Sequence, residues 1–223
     1  KQMKKLSVLL IGLFTIASAQ LRVSLDLNNT GEGSVVVPED DDKDISIPVT
    51  YKSKSPGLRI GYEYTLLTIA GVGVEYTMTG KTDFSGDHEI IKAAKADGFE
   101  WPIDKVFPDA LSGYGLVRLP VGVPFARGVV RAGMFLPLGS GSLDEGEDGS
   151  VDEETFNMID VYKPGITWGL GVRVKLPLIP IGGELLYQSM SLSFTDDAKN
   201  GYLRDWLPEG NVSTFSLVAT YSF

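Results

Sequence analysis

The sequence has no cysteine and one histidine among its 223 residues. The first absence excludes a disulfide framework, a Cys-ligated zinc site and a thiol nucleophile. The second excludes a metal site built from several imidazoles. Positive charge is also scarce, with 20 Lys and Arg against 29 Asp and Glu and a net charge of −9. A chain this acidic lacks the cations that displace counterions from phosphates, which argues against a nucleic-acid partner. Long apolar runs are missing too. The run from Leu6 to Ile16 falls well short of the roughly 20 residues that span a bilayer as a helix, and no later segment reaches that length. What is plentiful is glycine, at 26 residues, together with 12 prolines and 10% aromatics, a composition of short strands and turns.

The amino-terminal segment places Lys4 and Lys5 before the apolar run and Ala17-Ser18-Ala19 after it. A secretory signal peptide needs these regions in this order. Residues 1–19 are therefore expected to be a removable leader translated from Met3, with Lys1 and Gln2 an upstream extension, and 20–223 the functional domain. Loss of the leader takes three lysines and leaves a charge of −12.

After Ala19 the chain divides into eight stretches with a period of two, the signature of strands with one apolar face. They centre on Leu21 to Asn28, Leu58 to Leu66, Ala70 to Met78, Val117 to Val123, Val130 to Leu138, Ile166 to Leu176, Gly183 to Phe194 and Val212 to Phe223. Three connections are short turns, near Leu67-Thr68, at Ala126-Arg127-Gly128 and through Pro177 and Pro180. Four are long: 29–56, 80–113, 139–163 and 195–211. Eight antiparallel strands then place all the turns on one side and all the long loops on the other, as in transmembrane barrels. The expected fold is all-β, an antiparallel up-and-down transmembrane β-barrel of eight strands, with ten as the alternative.

The strand charges all share the face opposite the apolar one: Asp26, Glu63, Glu75 and Glu184 with Arg22, Arg59, Arg118, Arg131, Arg173 and Lys175. In a soluble barrel that face is the surface; in a membrane barrel it is the lumen. Lumen charges must pair, because an isolated buried ion costs several kcal/mol. Gly61, Gly71, Gly73, Gly122, Gly133, Gly169 and Gly171 share the face and leave room for long arginines.

The last strand carries Phe215, Leu217, Ala219, Tyr221 and Phe223 at alternate positions, with nothing polar after them. This resembles the terminal-strand signal that the barrel-assembly machinery recognises. With the leader and the loop asymmetry, the chain from residue 20 onward resembles the small bacterial outer-membrane β-barrel family, of the OmpA-like transmembrane and OmpW-like kind. The resemblance implies a porin-type fold in the cell outer membrane, surrounded by lipid and lipopolysaccharide; from the two-domain members of the family the chain is expected to depart, with no peptidoglycan-binding domain after the barrel.

Four segments need separate readings. Asp44 to Lys52 alternates Ile45, Ile47, Val49 and Tyr51, and is expected to extend the second strand above the membrane or to form a hairpin within the first loop. Ten strands would result if this segment crossed as a strand of the barrel and Ser34 to Val37 were the further one. His88 lies beside Ser85, Asp87 and Glu89, but sequence neighbours on a turn seldom form a catalytic triad. A short helix from His88 to Asp97, capped by Asp87 and closed by Gly98, is the simpler expectation, with Ile90, Ile91 and Ala94 over the barrel mouth. The acidic run from Leu143 to Glu154 fails the twelve-residue calcium pattern, having Gly146 third and Thr155 twelfth when counted from Asp144, and reads as a solvated loop with at most weak divalent binding. Gly71-Val72-Gly73 precedes no helix, so it is no dinucleotide site.

The expected function is structural: a monomeric barrel that anchors acidic surface loops, with no enzymatic activity and no cofactor. The four loops hold 25 of the 29 carboxylates. A narrow porin-like channel for ions or small apolar molecules is the main alternative, and an outer-membrane hydrolase a minor one.

Overall fold

A computed structural model describes residues 18–39, 43–66, 69–85, 89–96, 103–144 and 153–223. Eight strands close into a ring: β1 (Ser18–Glu39), β3 (Gly57–Leu66), β4 (Ala70–Met78), β6 (Asp109–Pro120), β7 (Ala126–Leu138), β10 (Gly165–Lys175), β11 (Ile181–Leu192) and β12 (Gly210–Ser222). Each pairs antiparallel with the next, and β12 pairs back onto β1 from Gln20↔Ser222 to Gly31↔Val212. Closure leaves no free edge around the ring. Apart from β1, the ring strands run 9 to 13 residues, matching a tilted crossing of the hydrocarbon layer. The short connections at 67–69, 121–125 and 176–180 lie at one end and the long loops at the other.

β1 is the exception, and it explains the segment 44–52. Its lower half, Ser18 to Asp26, pairs with β3; from Thr30 to Glu39 that same edge is taken by β2 (Lys43–Ser53). The segment is therefore a hairpin within the first loop, standing above an eight-stranded ring. Ser34 to Val37 continue β1 and add no ring strand, so the ring does not have ten. A bulge between Asp26 and Asn28 sets two successive residues outward, Leu27 and Asn28, and Asn29 inward again. β5 (Thr82–Ser85) adds to β2 only at Thr50 to Ser53, short of Pro48. β8 (Ser140–Asp144) and β9 (Glu153–Asn157) form a separate hairpin in the third loop.

The sequence misplaces one strand. β6 begins at Asp109, eight residues before Val117, because Gly113 and Gly115 occupy outward positions and erase the apolar beat there. The turn that follows is accordingly 121–125 and not Ala126-Arg127-Gly128, with Val121 and Val123 exposed in it. Gly122 lies in this turn at φ +79, a left-handed conformation that suits glycine, and so lines no lumen. β1 also starts before the expected cleavage point, since Ser18 and Ala19 pair with Thr65 and Tyr64. Glu89–Ala96 is a helix as expected, whereas Asp87, His88 and Gly98 lie outside the described residues, as do the turn residues Leu67-Thr68 and most of the acidic run, residues 145–152.

Candidate functional site: a charged lumen under an apolar cap

Inward positions of the ring carry an ion network. Arg22 on β1 sends Nη1 to Glu63 Oε1 at 2.6 Å and to Glu184 Oε2 at 3.1 Å. Glu63 also receives Arg173 at 2.7 Å and Arg118 at 3.2 Å, and accepts a hydrogen bond from the Tyr114 hydroxyl at 3.2 Å. Glu184 meets Arg173 at 2.5 Å. Higher in the barrel, Arg59 Nε binds Asp26 Oδ2 at 2.7 Å, while Arg59 and Arg131 converge on Glu75 at 3.4 and 3.2 Å. Arg22 Nε lies 3.9 Å from Glu75 Oε2 and joins the two layers. Such charge-assisted bonds are among the strongest in a folded chain, and removal of one partner strands the other in a dry interior.

Of the ten charged residues singled out by pattern, the structure gathers nine. Lys175 does not join them. It sits exposed at the lower mouth, where Nζ donates to Ser222 Oγ at 2.7 Å, because its position at the end of β10 puts it level with the last residues of β12. The uncharged partners carry no comparable signal in the sequence. Gln188 Oε1 accepts from both Arg59 and Arg131, and its amide nitrogen donates to Thr167 Oγ1 at 2.8 Å. Gln20 Oε1 accepts from Arg118 and Arg173 at 2.8 and 2.9 Å. Tyr114 lies under the Arg131 guanidinium, 4.8 Å from ring centre, in a stretch that reads as loop by its pattern. It occupies the space left by Gly73, where a Cβ would fall 2.5 Å from the ring. Likewise a Cβ at Gly169 would come within 3.1 Å of Arg131 Nε.

The side chains of Arg22, Arg59, Glu63 and Glu75 are at most 1% exposed, so the described residues around them keep water off them. Above them the lumen turns apolar. Phe135, Met190 and Val212 from the ring meet Phe107, Tyr162 and Phe194 from the loops in one buried cluster. Tyr162 stacks on Phe194 with centroids 5.3 Å apart and donates its hydroxyl to Pro208 O at 2.9 Å. Tyr51 donates to Trp206 O at 3.1 Å. Gly31 and Gly33 on the upper part of β1 let Phe107 and Tyr51 lie against the strand, since a Cβ at either would fall within 2.9 Å of a ring carbon. Burial pushes the Tyr51 and Tyr162 hydroxyls above the ordinary tyrosine range. The loops thus supply a folded cap as well as charge.

The outer face is the reverse of a soluble surface. Leu25, Ile60, Val74, Leu170, Leu185 and Leu217 are each about half exposed, and at their height no outward position of the ring strands carries a charge; Glu32, outward on β1, stands above them beside β2. Water would penalise so large an apolar belt, whereas a bilayer accepts it. Aromatics mark its height: Trp168, Tyr187 and Phe215 run across three neighbouring strands with centroids 5.6 and 5.1 Å apart, and Tyr221 meets Phe223 edge-on at the lower end. Phe215, Leu217, Ala219 and Tyr221 all face outward on β12. Phe223 follows them, 74% exposed, and its N–H donates to Ala19 O at 3.1 Å.

No family model matches the sequence, and no curated protein matches it. Solved structures similar to the chain are outer-membrane barrels. Neisserial surface protein A is 11% identical with a TM-score of 0.48, covering 93% of this chain and 99% of that one. The N-terminal barrel domain of Pseudomonas aeruginosa OprF is 8% identical with a TM-score of 0.40, covering 91% and 97%. Ail, the attachment invasion locus protein of Yersinia pestis, is 16% identical with a TM-score of 0.36, covering 92% and 99%. What suits this barrel to a membrane is its own surface: a closed ring, an uncharged apolar belt and charges turned inward.

Proposed function

We propose that this barrel, lodged in the bacterial outer membrane, is a closed monomeric anchor whose extracellular loops do its work without catalysis. The observation that carries this reading is the filled interior. Two layers of ion pairs exclude solvent from the lumen and an aromatic cap closes its outer end, so transport has no open route. In eight-stranded rings side chains fill the interior in any case. Far more chain lies in the loops than closing four hairpins requires. With Asp109 on β6, their 24 carboxylates against 10 Lys and Arg favour cations and basic partners, with attraction that weakens as salt screens it. Lipopolysaccharide is the natural neighbour of the upper belt, and weak divalent binding would bridge its phosphates to the acidic loops. The outward apolar series from Phe215 to Phe223 is the assembly signal in this reading.

The test is a barrel with its acidic loop segments shortened to tight turns. It is expected to assemble in membranes yet lose binding to divalent ions and to cells. Full retention of the parent phenotype would contradict the anchor reading.

A further inference from the structure

The ion network leaves positive charge over at its lower end. Five arginines, Arg22, Arg59, Arg118, Arg131 and Arg173, share four carboxylates. Glu63 alone serves three of them, so Arg118 holds only part of one carboxylate, and its buried Nε has no hydrogen-bond partner among the described residues. Below it stand two cations outside the network. Arg127 opens β7 directly opposite Arg173 of β10, and like charges facing across a ladder repel. Arg127 Nη1 donates only to the carbonyl of neighbouring Ala126, at 2.9 Å. Lys175 lies two residues beyond Arg173 on the same strand, bonded to Ser222 Oγ. Among the described residues, neither Arg127 nor Lys175 meets a carboxylate. All four cations line one vestibule of about 440 Å³, open below and closed above by the network.

The rim of this vestibule is apolar. Phe125 from one turn and Leu176 and Leu178 from the next border the same opening. Leu178 is fully exposed and held at φ +69, a left-handed conformation that costs a leucine free energy. An exposed leucine held at that cost, beside a cationic hollow at the lower edge of the apolar belt, fits contact with an amphiphile better than contact with water.

We infer that the periplasmic vestibule binds a phosphate-bearing anion through Arg118, Arg127 and Lys175. A phosphate offers several charged acceptor oxygens to guanidinium and ammonium donors, and its charge offsets the excess that the carboxylates leave. The headgroup of an anionic phospholipid in the facing leaflet and free inorganic phosphate share this chemistry; the apolar rim favours the headgroup. The site is independent of what the loops bind.

The test uses the whole barrel in phosphatidylcholine nanodiscs, titrated with inorganic phosphate in one arm and enriched in phosphatidylglycerol in the other. Backbone amide shifts of residues 118–127 and 173–178 are followed in both. The comparison is a double variant, Arg127→Gln with Lys175→Gln, which leaves every carboxylate of the lumen paired. The unaltered barrel is expected to respond saturably, and the double variant to bind about tenfold or more weakly, the scale of one charge-assisted bond. A response to phosphatidylglycerol alone assigns the site to lipid; a response to both assigns it to the phosphate group. No saturable response in either arm, or an equal response from the double variant, overturns the inference.

Discussion

Arg22 of β1 and Glu63 of β3 meet at 2.6 Å with side chains 1% and 0% exposed, and every other contact of Glu63 is with a further arginine or with Tyr114. This carboxylate is the hub of the lower lumen. Glu63→Gln keeps its shape and removes its charge, leaving Arg22, Arg118 and Arg173 short of a partner. The expected loss is about 3–5 kcal/mol of unfolding free energy in detergent or lipid. A control at the exposed loop carboxylate, Glu209→Gln, is expected to change stability by no more than about 0.5 kcal/mol. Equal midpoints for the two variants would place Glu63 in solvent.

The upper layer gives a second stability test. Glu75→Ala strips Arg59 and Arg131 of their shared acid, and Gly73→Ala drives a methyl group into the Tyr114 ring. The glycine change is expected to cost about 1–3 kcal/mol. Combined with Tyr114→Ala, it should cost much less than the sum of the two changes. Strict additivity would show that Tyr114 does not pack on Gly73.

Much of the barrel is legible in the sequence. Seven strands follow from β-branched and aromatic residues at alternate positions, and the charge-bearing face follows from the same alternation. The start of β6 is hidden because glycines at 113 and 115 stand where leucines or valines would mark the belt, and Tyr114 is hidden with it. The cap is invisible for a different reason. Phe107 and Tyr162 come from loops with no periodicity, Phe194 only ends the alternation of the seventh stretch, and what joins them is closure of the ring, which brings distant segments over one mouth.

The cap makes its own prediction with pH. Burial raises the Tyr51 and Tyr162 hydroxyls above their ordinary value of 10.0, so the folded cap resists their ionisation. For groups raised in this way, stability is complete below the unfolded value and is lost as pH climbs above it. Protease resistance of the loops should hold to about pH 10 and decline beyond. Tyr162→Phe removes the bond to Pro208 and is expected to loosen the cap by about 1–2 kcal/mol without altering the lumen. A phenolate signal from all tyrosines titrating together near the ordinary value would contradict the burial of these two.

Removal of Phe223 is expected to slow insertion of the barrel into the outer membrane while export proceeds, read as accumulation of unfolded chain in the periplasm. A variant recovered folded and soluble without detergent would count against the transmembrane barrel altogether.

Whether the interior is closed is tested most directly by electrical recording from single barrels in a planar bilayer. A lumen sealed by Glu63, Glu75 and their arginines beneath the Tyr162–Phe194 cap predicts no steady conductance above the bare membrane. Steady, ion-selective current that changes with Arg118→Glu would contradict it and make the barrel a channel.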